Sequence, residues 1–90
     1  MRSRYSAFVR QDADYLSATW HASTRPPQLQ LDPSVIWTHL EIVRVRAGAA
    51  DDRRGLVEFR AHHTRGVQAE RSRFLHEDGQ WFYLDGDRLD

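Results

Sequence analysis

Apolar side chains in the first twenty residues recur at intervals of three and four. Tyr5, Phe8, Val9, Tyr15, Leu16, Thr19 and Trp20 fall on one helical stripe. Asp12 interrupts that stripe in phase, and an aspartate at such a break reads as the N-cap of a second helix over 13–20. The spacing predicts two helical segments with a bend near Gln11, or one long bent helix, with one apolar face to bury. The segment 21–27 stops the helix, because Pro26 and Pro27 each push the preceding residue out of the α region. Asp32-Pro33-Ser34 sets a cap before a proline at the first helical position and predicts a single helical turn.

From Trp37 the period changes to two. The span 37–46 is rich in β-branched and aromatic residues and reads as a first strand. A polar, glycine-containing connection over 47–54 follows. The span 55–64 alternates, with Val57, Phe59 and Ala61 on one face and Glu58, Arg60 and His62 on the other. Arg65-Gly66 reads as a two-residue turn before a third strand over 67–77, and Asp78-Gly79 is the strongest hairpin signal in the chain. The fourth strand runs over 80–84, and Asp85-Gly86 ends it. The chain reads as one α+β domain over 1–90, with N-terminal helices and an antiparallel meander of about four strands.

Turn positions and alternation together fix which side chains share a face. With Arg65-Gly66 as the turn, Val57 faces Phe74, Phe59 faces Ser72 and Ala61 faces Glu70. With Asp78-Gly79 as the next, Phe74 faces Tyr83 and His76 faces Trp81. One face then carries Val57, Phe59, Phe74, Trp81 and Tyr83, with the polar pair Glu70 and Ser72 among them, and receives the helices. The opposite face pairs Glu58 with Arg73, an ion pair, and Arg60 with Arg71, a like-charge pair. In the first strand either Leu40 and Ile42 or Val43 and Val45 could point inward.

Composition narrows the function. Thirteen basic and thirteen acidic residues give zero net charge, so no overall field draws the chain to nucleic acid or to an anionic membrane. All the basic residues are arginine, which reads as compositional bias. The absence of cysteine excludes disulfides, thiol catalysis and cysteine-ligated zinc. No run approaches the ~20 apolar residues of a membrane span, and the opening residues lack a signal-peptide core; the expected location is the bacterial cytoplasm. His62 and His63 are adjacent in a strand and point to opposite faces. With His39 and His76 they are too scattered for a metal site, and neither a metal nor a cofactor is expected.

The opening Met1 to Val9 (MRSRYSAFV) resembles the start of the central domain of the YchJ-type family of uncharacterised bacterial proteins. Matches continue in order through Asp14-Tyr15-Leu16, Thr19-Trp20-His21, Ser23-Thr24-Arg25-Pro26, Gly55 to Ala61, Glu70-Arg71-Ser72-Arg73-Phe74 and Trp81 to Gly86. The resemblance implies an NTF2-like (cystatin-like) cone, with helices packed into the concave side of a curved sheet. Family members commonly carry a cysteine-rich, zinc-binding SEC-C segment before this domain. None of it is in these 90 residues, so zinc is not carried over. The family motif also has histidine before Glu-Arg-Ser-Arg-Phe, where Ala69 stands here, which weakens a catalytic reading of that run.

Within such a cone, Glu70 and Ser72 are the most suggestive pair. An isolated carboxylate on an apolar face is costly to bury. It serves either as a pocket acid or, in the preferred structural reading, as an ion-pair partner of Arg4 or another arginine of the helix. The candidate pocket comprises Tyr5, Trp20, His21, Trp37, Phe59, Glu70, Ser72 and Trp81, with Tyr5 and Ser72 as donors and Trp20 and Trp37 as walls; His21 reads more readily as a helix C-terminal cap. Candidate ion-pair residues are Glu58, Arg73 and Arg4. No phosphate-binding glycine loop or nucleophile elbow is present. The preferred expectation is a non-catalytic binding or protein-interaction module, with room for a homodimer through the open sheet face or for another protein partner. The alternative is a small-molecule enzyme or binder built around Glu70.

Overall fold

The computed structural model describes residues 2–47, 49 and 51–89. Met1, which opens the family-like motif, and Gly48 and Ala50 of the 47–54 connection lie outside the described residues, as does Asp90. The order is α1 (Arg2–Arg10), α2 (Ala13–Ala18), then β1 (Trp37–Ala47), β2 (Arg54–His63), β3 (Gly66–Glu77) and β4 (Gln80–Arg88). The strands form one antiparallel sheet in sequence order, and the helices lie on one face of it.

The bend between the helices has a local cause. Gln11 takes φ 55°, while its N–H and that of Asp12 donate to Phe8 O and Ala7 O at 3.1 and 2.8 Å. That is a Schellman close, made here with glutamine in place of glycine. Asp12 then caps α2, its carboxylate accepting from Tyr15 N at 3.0 Å. The stripe is rotated from the expected one. Val9 is half exposed and Tyr15 lies at the edge of the buried face, while Arg4, Ala7 and Leu16 are buried. Asp32-Pro33-Ser34 forms a hydrogen-bonded turn in place of a helical one, since Asp32 bonds Ser34 N and Oγ through its side chain.

The β2–β3 turn lies one residue earlier than Arg65-Gly66. His63 pairs with Gly66 across Thr64 and Arg65. Thr64 N donates to Ile36 O at 3.0 Å, and Arg65 reaches Ser34 and Asp32, so the preceding loop holds the turn in place. The pairing therefore slides by two residues, to Phe59 with Glu70 and Val57 with Ser72. A slide of two preserves every face. The Asp78-Gly79 hairpin is as read, with both residues at positive φ (52° and 76°) and with Phe74 opposite Tyr83 and His76 opposite Trp81.

Three register shifts resolve what alternation leaves open. In β1 the register shifts between Trp37 and His39, which lets Trp37 share the inner face with Leu40, and again between Ile42 and Arg44. Leu40 and Ile42 point inward before this second shift, and Val45 and Ala47 lie on the same face after it, where they stay exposed, as Val43 does at the shift. In β4 the register shifts at Leu84, so the strand continues through Asp85-Gly86 to Arg88 instead of ending there. Thr19 to His21 adds a short parallel edge to β4 through His21 N to Tyr83 O and Tyr83 N to Thr19 O. No described helix is long and apolar enough to cross a membrane.

Candidate functional site

Alternation along β3 aims Glu70, Ser72 and Phe74 at the helices. Ser72 is fully buried, and its hydroxyl donates to Glu70 Oε2 at 2.9 Å. From β4, Tyr83 Oη donates to Glu70 Oε1 at 3.2 Å. Both oxygens of one carboxylate are thus held by hydroxyls from two strands. Burial, and then the neighbouring Glu70 charge, push the Tyr83 phenol well above the ordinary tyrosine range, so it remains a donor. The bulge at Leu84 brings Gly86 onto the same face, opposite Ser72. A methyl group at Gly86 would overlap the Glu70 carboxyl group, so glycine is required there for space and not for φ.

The helical layer supplies the other wall. Tyr5 and Phe8 pack on Trp37, with ring centres 6.3 and 6.0 Å apart, and Trp20 meets Tyr83 edge to face at 4.9 Å. Arg4, only 4% exposed, lies over the rings of Tyr83 (4.7 Å) and Trp20 (5.5 Å). Its Nη1 donates to Leu16 O at 3.1 Å and to Thr19 Oγ1 at 2.6 Å, satisfying an end carbonyl of α2. Burial holds its guanidinium below the ordinary arginine range, against the opposing pull of Tyr83, Tyr15 and Glu70. Between these layers lies a cavity of about 180 Å³, walled by aromatic rings with Glu70, Ser72, Gln68 and Arg4 as its polar groups.

Six of the eight expected pocket residues line this cavity: Tyr5, Trp20, Trp37, Phe59, Glu70 and Ser72. His21 does not. It sits on the rim of the sheet, bonded to Ser23 and, through Nε2, to Glu77 at 3.1 Å. Trp81 stacks on His76 and lines a neighbouring hollow with Tyr15 and Phe74. The Arg4–Glu70 ion pair does not form, because Tyr83 stands between the two and the guanidinium turns to the end of α2. Tyr83 and Gly86 complete the site. The pairing of Tyr83 with Phe74 already placed it on the inner face; Gly86 could not be placed without the bulge.

On the outer face the register slide exchanges partners. Glu58 pairs with Arg71 at 2.9 Å instead of with Arg73, and Arg73 bridges Asp85 and Asp87 at 2.5 and 2.8 Å. The expected Arg60–Arg71 clash disappears, since Arg60 now lies between Glu41 and Ala69. His62 leaves on this face and stacks on His39, while His63 turns inward onto Trp37. Among the described residues no three histidines or carboxylates are gathered around a common metal position.

Comparison with known proteins follows the same outline. Residues 1–86 match the family model described as YchJ, middle NTF2-like domain. A UPF0225 protein of Streptomyces coelicolor is 53% identical over the whole chain, which spans 73% of that protein. A UPF0225 protein of a Polaromonas species is 53% identical over 97% of the chain, and the chain spans 65% of its length, just under two thirds. The solution structure of a SEC-C motif containing protein from Rhodopseudomonas palustris superposes with a TM-score of 0.81 at 28% identity, covering all of this chain and 76% of that one.

Proposed function

Because the chain belongs to the YchJ family, as its middle NTF2-like domain, we propose a function for that domain: a non-catalytic module that binds a small molecule in the cone. The observation that carries this reading is the Glu70 carboxylate, fixed by Ser72 and Tyr83 and backed by Gly86, at the edge of an aromatic-walled cavity. A volume of about 180 Å³ is below that of drug-sized pockets but above the ~150 Å³ that accommodates a benzene ring. The occupant is therefore a single ring with a polar substituent. Catalysis has less support. Acid–base chemistry uses groups that exchange protons near the working pH. The phenols of Tyr5 and Tyr83 are both pushed upward by burial, and Arg4 is no proton donor.

The test is binding of ring-sized fragments followed by amide and indole NMR shifts. Saturable shifts are expected in the wild type, and none in Ala61→Leu, whose added bulk enters the cavity from its floor. Equal shifts in both proteins would overturn the reading.

The outer sheet face supports a second reading, a homodimer. Arg44, Arg46 and Arg54 lie toward β1 with no ion pair among the described residues, and Asp85 and Asp87 lie toward β4. A twofold axis across β2–β3 sets one copy's arginines against the other's aspartates, around Leu56 and Leu75. Light scattering should give twice the 10.6 kDa chain mass, and Arg46→Glu should halve it. A monomer throughout the micromolar range would rule this out.

A further inference from the structure

The Glu70 site goes beyond recognising a generic ring. Each carboxylate oxygen accepts one protein hydrogen bond, Oε2 from Ser72 and Oε1 from Tyr83. A carboxylate has about four acceptor positions, so each oxygen keeps one to offer. Neither is taken by the nearest arginine of the helical layer: Nη1 of Arg4 is committed to Leu16 O and Thr19 Oγ1, and its flat face lies on Tyr83. The two hydroxyls hold the carboxylate in the space that Gly86 leaves free, where a Cβ would overlap it. Two fixed, parallel acceptors match a planar fork of two N–H donors, and a cationic fork forms the strongest such contact. Of the remaining walls, Tyr5, Phe8, Trp20, Trp37 and Phe59 are aromatic and suit a flat, positively charged group, while the Arg4 guanidinium that also lines the cavity is already engaged by Leu16 O, Thr19 Oγ1 and the Tyr83 ring.

We infer that the cone takes a flat, ring-sized cation bearing two adjacent N–H donors, of the arylamidine or protonated amino-heterocycle class, with the fork seated on Glu70. This rests on the small-molecule reading of the cavity, and it can fail while that reading stands.

Three probes of nearly one shape separate the two: benzamidine (cation), benzamide (neutral) and benzoate (anion). Each is titrated into the purified chain while the indole N–H signals of the tryptophans are followed. Benzamidine should bind at least tenfold tighter than benzamide, and benzoate weakest. Glu70→Gln keeps the size of the side chain. It should weaken benzamidine tenfold or more, bringing it level with benzamide, while benzamide changes less than threefold; the retained benzamide site shows that the variant is folded. Benzamide or benzoate binding as tightly as benzamidine to the wild type would overturn the cation assignment and leave the cavity reading in place. An unchanged benzamidine affinity in Glu70→Gln would do the same. If none of the three moves an indole signal, both readings fall.

Discussion

The two faces of the sheet hold charge in opposite ways, although the same strand supplies both. On the outer face of β3, Arg71 meets the largely covered Glu58, and Arg73 bridges the exposed Asp85 and Asp87, through contacts that salt screens. On the inner face, one residue before Arg71, Glu70 has no ion-pair partner among the described residues and is held by hydroxyls, between aromatic rings. Outer pairs of this kind contribute little to stability, and the strand register alone decides that Glu58 meets Arg71 and not Arg73. The inner carboxylate is fixed in position, and a fixed acceptor with lone pairs to spare suits recognition. Position, more than residue type, separates a solvated face from a site.

The largest expected effect lies under the inner face. Leu16 is fully buried between the helices and the sheet. Leu16→Ala should cost roughly 3 kcal/mol by the usual cavity penalty, a large share of the ~5 kcal/mol at the lower end of domain stabilities. Urea denaturation measures it, and a loss well under 1 kcal/mol would mean that the helical layer is loosely attached. Next comes Gly86→Ala, which forces a methyl group against Glu70 and should cost about 1–3 kcal/mol as overpacking. Double substitution with Glu70→Ala should recover most of that loss. If it does not, the glycine serves the backbone and not the carboxylate.

Tyr83→Phe removes one hydroxyl from Glu70 and should cost about 1 kcal/mol at neutral pH. It also carries a pH signature. The folded-state phenol ionises above its unfolded value of 10.0. Stability from this group is therefore complete below pH 10 and falls as the pH rises further, because the unfolded chain releases the proton first. Denaturation at pH 9 and pH 11 should show a smaller drop in Tyr83→Phe than in the wild type; equal drops would show that Tyr83 is not the group responsible. The smallest effect belongs to the outer face. Arg73→Gln should shift the melting temperature least of the four and least of all in high salt. A shift as large as that of Gly86→Ala would erase the contrast between the faces.

Much of this arrangement was legible in residue order. Asp78-Gly79 is readable because both types tolerate positive φ, and alternation alone puts Glu70 and Ser72 among the aromatics. The β2–β3 turn is not readable in the same way. Its position depends on Ile36 and Ser34, which reach it from an earlier loop. Sliding by two kept the faces and changed the partners, so the inner site survives while the outer ion pairs do not. The register shifts leave no local mark, since Val43 and Leu84 fit a regular strand as well as an irregular one; those in β1 settle its inner face, and the one in β4 brings Gly86 under Glu70. The commitment of Arg4 to Leu16 O depends on how α1 crosses the end of α2, which no short-range pattern encodes.

The central claim is that the cavity beside Glu70, and not the neighbouring hollow, is the binding site. Trp20 and Trp37 line that cavity and Trp81 lines the other, so the three indole signals report on the two places separately. Titration with a ring-sized fragment should move Trp20 and Trp37 together along one saturable curve and leave Trp81 in place. Movement of Trp81 alone, or of all three in equal measure without saturation, would contradict the account.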